Sequence, residues 1–226
     1  MALLEHHELN TLLQTAKDRF SSLYPILLCA AQTGMRQGEL VGLQWGDIDF
    51  HGGFIEVRRG VVLRQVTTTK NHKIRRVDMS QHLQDVLKQL KEERQVEAMA
   101  EKKAMSPWVF LSPWGKRWDS RNLFRVWTRC LDAAGIRHVR FHDLRHTYAS
   151  ALAQQGAPPK YVQSQLGHSS IQITMDTYSH FFEKRSSEWV NRLDEQGEIG
   201  KTEGESATQA QPEAVSSEPP SAKCLK

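Results

Sequence analysis

The chain has 226 residues, 39% hydrophobic and 25% charged, enough for one domain with a sizeable core or two small ones. No apolar run approaches the ~20 residues that span a bilayer, and MALLEHHELN has no basic n-region before an apolar core, so a cytoplasmic protein without membrane partners is expected. The net charge of +4 is uneven: seven acids and three bases leave residues 194–226 at −4 and residues 1–193 at +8, an excess that suits a polyanion.

Leu9, Leu12, Leu13, Ala16 and Phe20 recur at helical spacing and predict a first helix. A second covers 22–32 with Pro25 in its first turn, Thr33 and Gly34 break it, and a short helix follows over 38–43. Residues 47–79 change character. Asp47, His51, Gly52 and Gly53 signal turns, and FIEVR, VVLRQVTT and KIRRVDM are β-rich, which predicts a three-stranded antiparallel sheet with Asn71 and His72 at the tip of its last hairpin. Ser80 caps a long helix over 81–103 that buries Leu83, Val86, Leu87 and Leu90. WVFLS (108–112) is extended, and a helix capped by Asp119 or Ser120 runs to Ala134 and stops at Gly135. Further helices cover 142–155, then 159–166 opened by Pro158 and Pro159, then a short one capped by Ser169 or Ser170, then 181–193. From Asp194 the chain turns to Glu, Ser, Gln, Pro, Ala and Gly with no aromatic residue, and disorder is expected. The fold class is α+β, mostly helical with one small antiparallel sheet. Cys29, Cys130 and Cys224 are odd in number and lack CxxC spacing, which argues for reduced thiols rather than a disulfide framework or a cysteine zinc site.

Four segments carry chemistry. In HDLRH (142–146), His142, Arg145 and His146 share a helix face, and an imidazole beside a guanidinium suits a phosphate. A plain basic helix face explains the same residues. His142 and His146 also have the i,i+4 spacing of a zinc pair, but the HExxH signature needs Glu where Asp143 stands, and Arg145 would set a positive charge beside the metal. In LGHSSIQITMDTYSH (166–180), Gly167 permits a tight turn before His168, and Tyr178 follows one short helix later. A tyrosine with a pKa near 10 is a poor nucleophile unless cations surround its target, and packing is its commoner role. In TGMRQGELVGLQW (33–45), Gly34 and Gly38 flank Arg36, and Glu39 lies where it can orient the guanidinium; an ordinary surface pair has the same spacing, and the GK[ST] ending of a nucleotide loop is missing. In TTTKNHKIRRV (67–77), Lys70 stands at a hairpin tip, solvated or reaching into a cleft, and Lys73, Arg75 and Arg76 suit contacts to a DNA backbone.

In this order the segments resemble the tyrosine recombinase or phage integrase family, over about residues 5–190. The resemblance implies the catalytic-domain fold of that family over residues 1–193, and site-specific DNA recombination, integration or excision, by strand cleavage and rejoining through a 3′-phosphotyrosyl intermediate. It implies that Arg36 and Arg145 clamp the scissile phosphate, His168 donates to it, Tyr178 attacks it, Lys70 protonates the departing 5′-oxygen and His142 serves as base for Tyr178. Glu39 and Asp143 match accessory positions. Double-stranded DNA, a homotetramer on DNA and DNA-bending accessory proteins are the implied partners, with no cofactor and no metal. Family members carry an N-terminal DNA-grasping domain; this chain begins at the catalytic domain, so weak site-specific grip is expected, and 183–193 with Trp189 is a candidate contact to a neighbouring protomer. Two other readings of the same residues are a non-catalytic DNA-binding fragment of a mobile-element integrase and a type IB-like topoisomerase.

Overall fold

The computed structural model describes residues 3–62, 65–68 and 74–182. Its centre is a helix that is apolar on every side. In α2 (Tyr24–Thr33), Ile26, Leu27, Leu28, Cys29 and Ala30 are all buried, so the helix is enclosed by others. Pro25 sits in the first turn as expected, and Gly34 ends the helix with φ +60°. α1 (His6–Arg19) lays Leu12 and Ala16 against it, and α3 (Gln37–Val41), α4 (Gln81–Ala100) and α6 (Asp143–Gln154) close the remaining sides.

Caps set most helix boundaries. Ser80 Oγ accepts from Leu83 N at the start of α4. Asp119, rather than Ser120, accepts from Arg121 N and Asn122 N at the start of α5 (Ser120–Ala134), which Gly135 ends at φ +67°. α5 packs on α1 through Leu123, Trp127, Cys130 and Leu131, and Trp127 Nε1 donates to Val139 O at 2.9 Å. α7 (Pro159–Leu166) and α8 (Ile171–Tyr178, capped by Ser170) complete the described helices. Cys29 and Cys130 are free, buried thiols.

The strands differ from expectation in their pairing. A three-stranded antiparallel sheet exists, but its order is β1 (Ile48–Asp49), β2 (Phe54–Val57), β5 (Arg75–Asp78). Ile55 faces Val77 across β2 and β5, and both are fully buried. The VVLRQVTT run is not a strand of that sheet. It belongs to a separate hairpin, β3 (Arg59–Val62) with β4 (Gln65–Thr68), registered Gly60 to Thr67. Val62 and Val66 are 59% and 48% exposed. Burial explains the exchange: β5 offers Val77 to the core beside Ile55, whereas the hairpin has no comparable buried face.

α6, α7 and α8 enclose a small second core of Ala149, Val162, Leu166 and Tyr178, flanked by Tyr148, Leu152, Phe181 and Phe182. A 3₁₀ turn (Ser179–Phe181) stands at the start of the expected last helix, and the rest of that helix, like the tail from 194, lies outside the described residues. Among the described residues no helix is long and apolar enough to cross a membrane.

Candidate active site

Arg145 organises the site. It lies in the first turn of α6 and is 3% exposed. Its Nη1 donates to Gly34 O at 2.7 Å, and its Nη2 donates to Leu166 O at 2.6 Å. Those carbonyls are the ends of α2 and α7, where orphan C=O groups and the negative pole of each helix favour a cation. Both ends are built by glycines in the left-handed region, Gly34 and Gly167. Burial, then the charges of Arg36 and Arg75, press the Arg145 pKa down to about 9, while Glu39 and Tyr178 oppose them; the guanidinium stays charged at neutral pH. Two anchoring bonds leave its other N–H groups for a ligand.

Arg36 precedes α3 with extended backbone, and its N–H donates to Glu39 Oε2 at 2.8 Å. Its Nη1 donates to Glu39 Oε1 at 3.1 Å. Gly38 is needed here because a Cβ would stand 2.7 Å from Val61 O of β3. Glu39 also receives Arg75 end-on, Nη1 to Oε1 at 2.8 Å and Nη2 to Oε2 at 2.7 Å. Burial alone would raise the Glu39 pKa, but the hydrogen bonds and charges of Arg75 and Arg36 bring it down to about 2.

The imidazoles and the phenol face each other across α6 and α8. His142 immediately precedes α6 without a side-chain capping bond, and its ring lies edge-on to His146 with centroids 5.1 Å apart. Tyr178, the last residue of α8, is 1% exposed, and its hydroxyl lies 2.7 Å from His146 Nδ1. Burial pushes the Tyr178 pKa up to about 12 against the opposing charge of Arg145. Burial and the Arg145 charge lower the His142 pKa, and burial and His142 lower that of His146. His168 Nδ1 lies 2.9 Å from the buried Thr174 hydroxyl. Burial, then Arg145 and Arg36, carry His168 down to about 4, so it is a neutral hydrogen-bonding group at pH 7. A phosphate here would meet two guanidiniums and neutral imidazoles beside a phenol.

Six of the residues singled out in the sequence, Arg36, Glu39, His142, Arg145, His168 and Tyr178, thus belong to one neighbourhood. Lys70 and Lys73 lie outside the described residues. Asp143 is buried but turns to Arg140, accepting from its N at 3.0 Å and its Nη2 at 2.8 Å, so it braces the turn before α6. Arg75 has a side chain only 15% exposed and committed to Glu39 and to Gln165 O, because the alternation of β5 turns it inward. Arg76 points the other way, 65% exposed over the Phe54 ring and 3.3 Å from Glu56. Among the described residues no group of three or more His, Cys, Asp or Glu has metal-binding geometry.

Three features have little or no signature in the sequence. His146 is legible as a helix-face neighbour of His142, but its contact to Tyr178 spans 32 positions. Thr174 has no signal beyond its place before Tyr178. On α5, Arg121, Phe124, Arg125 and Arg129 are exposed, and only a faint basic periodicity marks them in the sequence. A cleft of about 250 Å³ joins the start of α5 to Gln37 and Gly38, next to Arg36.

Residues 2–185 match the phage integrase family. A tyrosine recombinase XerC-like protein of Caldanaerobacter subterraneus subsp. tengcongensis is 34% identical over 196 residues, covering 76% of this chain and 49% of the relative. The fold is similar to the catalytic domain of bacteriophage HP1 integrase, with a TM-score of 0.61 and 23% identity over 84% of this chain and 94% of that one. It is also similar to the Tn1549 transposon integrase in complex with transposon right end DNA, with a TM-score of 0.69 and 20% identity over 87% of this chain and 66% of that one. The chain spans about half the length of the curated relatives it matches. With the family match covering most of its length and a relative above 30% identity, this chain belongs to the phage integrase family of tyrosine recombinases.

Proposed function

We propose that residues 1–193 form the catalytic domain of a site-specific DNA recombinase that cuts and rejoins duplex DNA through a 3′-phosphotyrosyl link. The observation that carries this reading is a buried phenol beside Arg145, inside a cluster that also holds Arg36 and three imidazoles. In the transition state, charge spreads over the phosphoryl oxygens, and fixed cations stabilise it at no reorganisation cost. Arg36 and Arg145 clamp the non-bridging oxygens, and His168 donates a further hydrogen bond. Tyr178 attacks phosphorus, and Lys70 protonates the departing 5′-oxygen. His142 completes the set at the head of α6. The covalent link conserves the bond energy, so rejoining needs no nucleotide.

Double-stranded DNA is the substrate, and four copies act together on paired sites, with DNA-bending proteins as accessories. The Tn1549 relative was captured with transposon-end DNA, which supports DNA as the partner. The exposed Arg121, Arg125 and Arg129 of α5 and Arg76 of β5 supply backbone contacts.

A nicked suicide duplex tests the reading. Incubation with the wild-type chain gives an SDS-resistant protein–DNA adduct, and Tyr178→Phe abolishes it. An adduct that persists in the Phe variant would remove Tyr178 from the role of nucleophile.

A further inference from the structure

We propose that His146, rather than His142, takes the proton of Tyr178 during strand cleavage. The inference deepens the recombinase reading and rests on it. The Tyr178 hydroxyl lies 2.7 Å from His146 Nδ1, within the range of a short O–H···N bond. Among the described residues no hydrogen bond joins His142 to Tyr178; the His142 ring instead abuts His146, at 5.1 Å between centroids. The helix explains the division. His142 and His146 are four apart on α6 and share a face, and Tyr178 at the end of α8 meets the second of them.

Chemistry at the two atoms is complementary. The phenol is protonated in the resting protein, since burial raises its pKa, and so it is the donor. His146 is neutral at pH 7 and accepts at Nδ1 when its proton resides on Nε2. The charged and titratable groups around His146 are His142, Asp143, Arg145 and Arg140 from α6 and its approach, Tyr178 from α8, and His168 from the turn between α7 and α8. Asp143 is the one among these that favours an imidazolium.

The cleavage step balances. The Tyr178 Oη–P bond forms as the P–O5′ bond breaks. The phenol proton passes to His146 Nδ1, and the departing O5′ takes its proton from a separate acid, the expected Lys70. On rejoining, the 5′-hydroxyl attacks phosphorus and His146 returns its proton to the phenolate.

The test is single-turnover cleavage of the nicked suicide duplex between about pH 5 and 9, with wild type, His146→Asn and His142→Asn. Asn places its oxygen close to the position of Nδ1, so it keeps the bond to Tyr178 yet takes no proton. His146→Asn should cleave about 10²-fold more slowly than wild type. It should also lose the rise of rate with pH on the acid side, while DNA affinity is retained. A duplex with a bridging 5′-sulfur, whose thiolate leaves without an acid, should not rescue it. His142→Asn should keep the acid limb. His146→Gln serves as the second variant if Asn prevents folding. A His146→Asn rate within about threefold of wild type, or rescue by the 5′-sulfur duplex, overturns the assignment while leaving the recombinase reading intact. Absence of any adduct from the wild type would sink both.

Discussion

Glu39 holds two arginines with one carboxylate. Arg75 meets it through two parallel bonds, and Arg36 meets it through both backbone and side chain. Removing the charge would leave two guanidiniums facing each other at a largely buried point. Glu39→Gln should therefore lower unfolding stability by about 3 kcal/mol, read from urea denaturation. An unchanged midpoint would show that water already screens the pair. His168 makes a prediction of its own. Its pKa is 6.5 unperturbed and about 4 in the folded protein, so the unfolded chain binds more protons between those values. Stability should fall as pH drops through that window. Glu39 adds a second loss, as pH falls from 4.5 towards about 2. His168→Gln should flatten only the upper window in denaturation curves taken across pH. At this scale the sequence speaks for local pairs alone. Arg36 and Glu39 are three apart, and helix geometry brings them together. Arg75 is 36 positions from Glu39 and has no signature before the chain folds.

The elements that matter most are helix ends. α2 and α7 both stop at left-handed glycines, and both present a terminal carbonyl to Arg145. Gly167 carries a second constraint: a Cβ there would stand 2.6 Å from Arg75 Cδ, and Arg75 is pinned by Glu39. Gly167→Ala should cost roughly 1–3 kcal/mol, seen as a lower melting temperature, and should slow adduct formation by disturbing Arg75 and Arg145 together. A variant with wild-type melting and cleavage would contradict this packing account. Helices are legible because caps and stops are local: Ser80, Asp119, Gly135 and the Pro158–Pro159 pair act within a few residues. Strand partners are not. Alternation reports which side chains face one way, but the choice of β5 over β3 as the neighbour of β2 depends on burying Val77 beside Ile55.

Across the whole molecule, positive charge gathers on residues 1–193, and the acidic tail brings the total to +4. Binding to duplex DNA should weaken steeply with salt. Replacing Arg121, Arg125 and Arg129 with Ala should make the slope of log K against log salt shallower, by up to about 0.9 for each phosphate no longer neutralised, whatever the DNA sequence. An unaltered slope would place the DNA elsewhere. The family is legible at this scale because chemically distinct residues fall in one order along the chain, and six of them meet in one neighbourhood of the fold. What order alone does not give is which imidazole meets the phenol, since that depends on how α8 returns across α6. Tyr178 should become covalently joined to DNA, and tryptic digestion with mass spectrometry of the adduct identifies the attached residue. The expected product is a 3′-phosphonucleotide on the peptide containing Tyr178, and a nucleotide on any other residue would remove Tyr178 from the role of nucleophile.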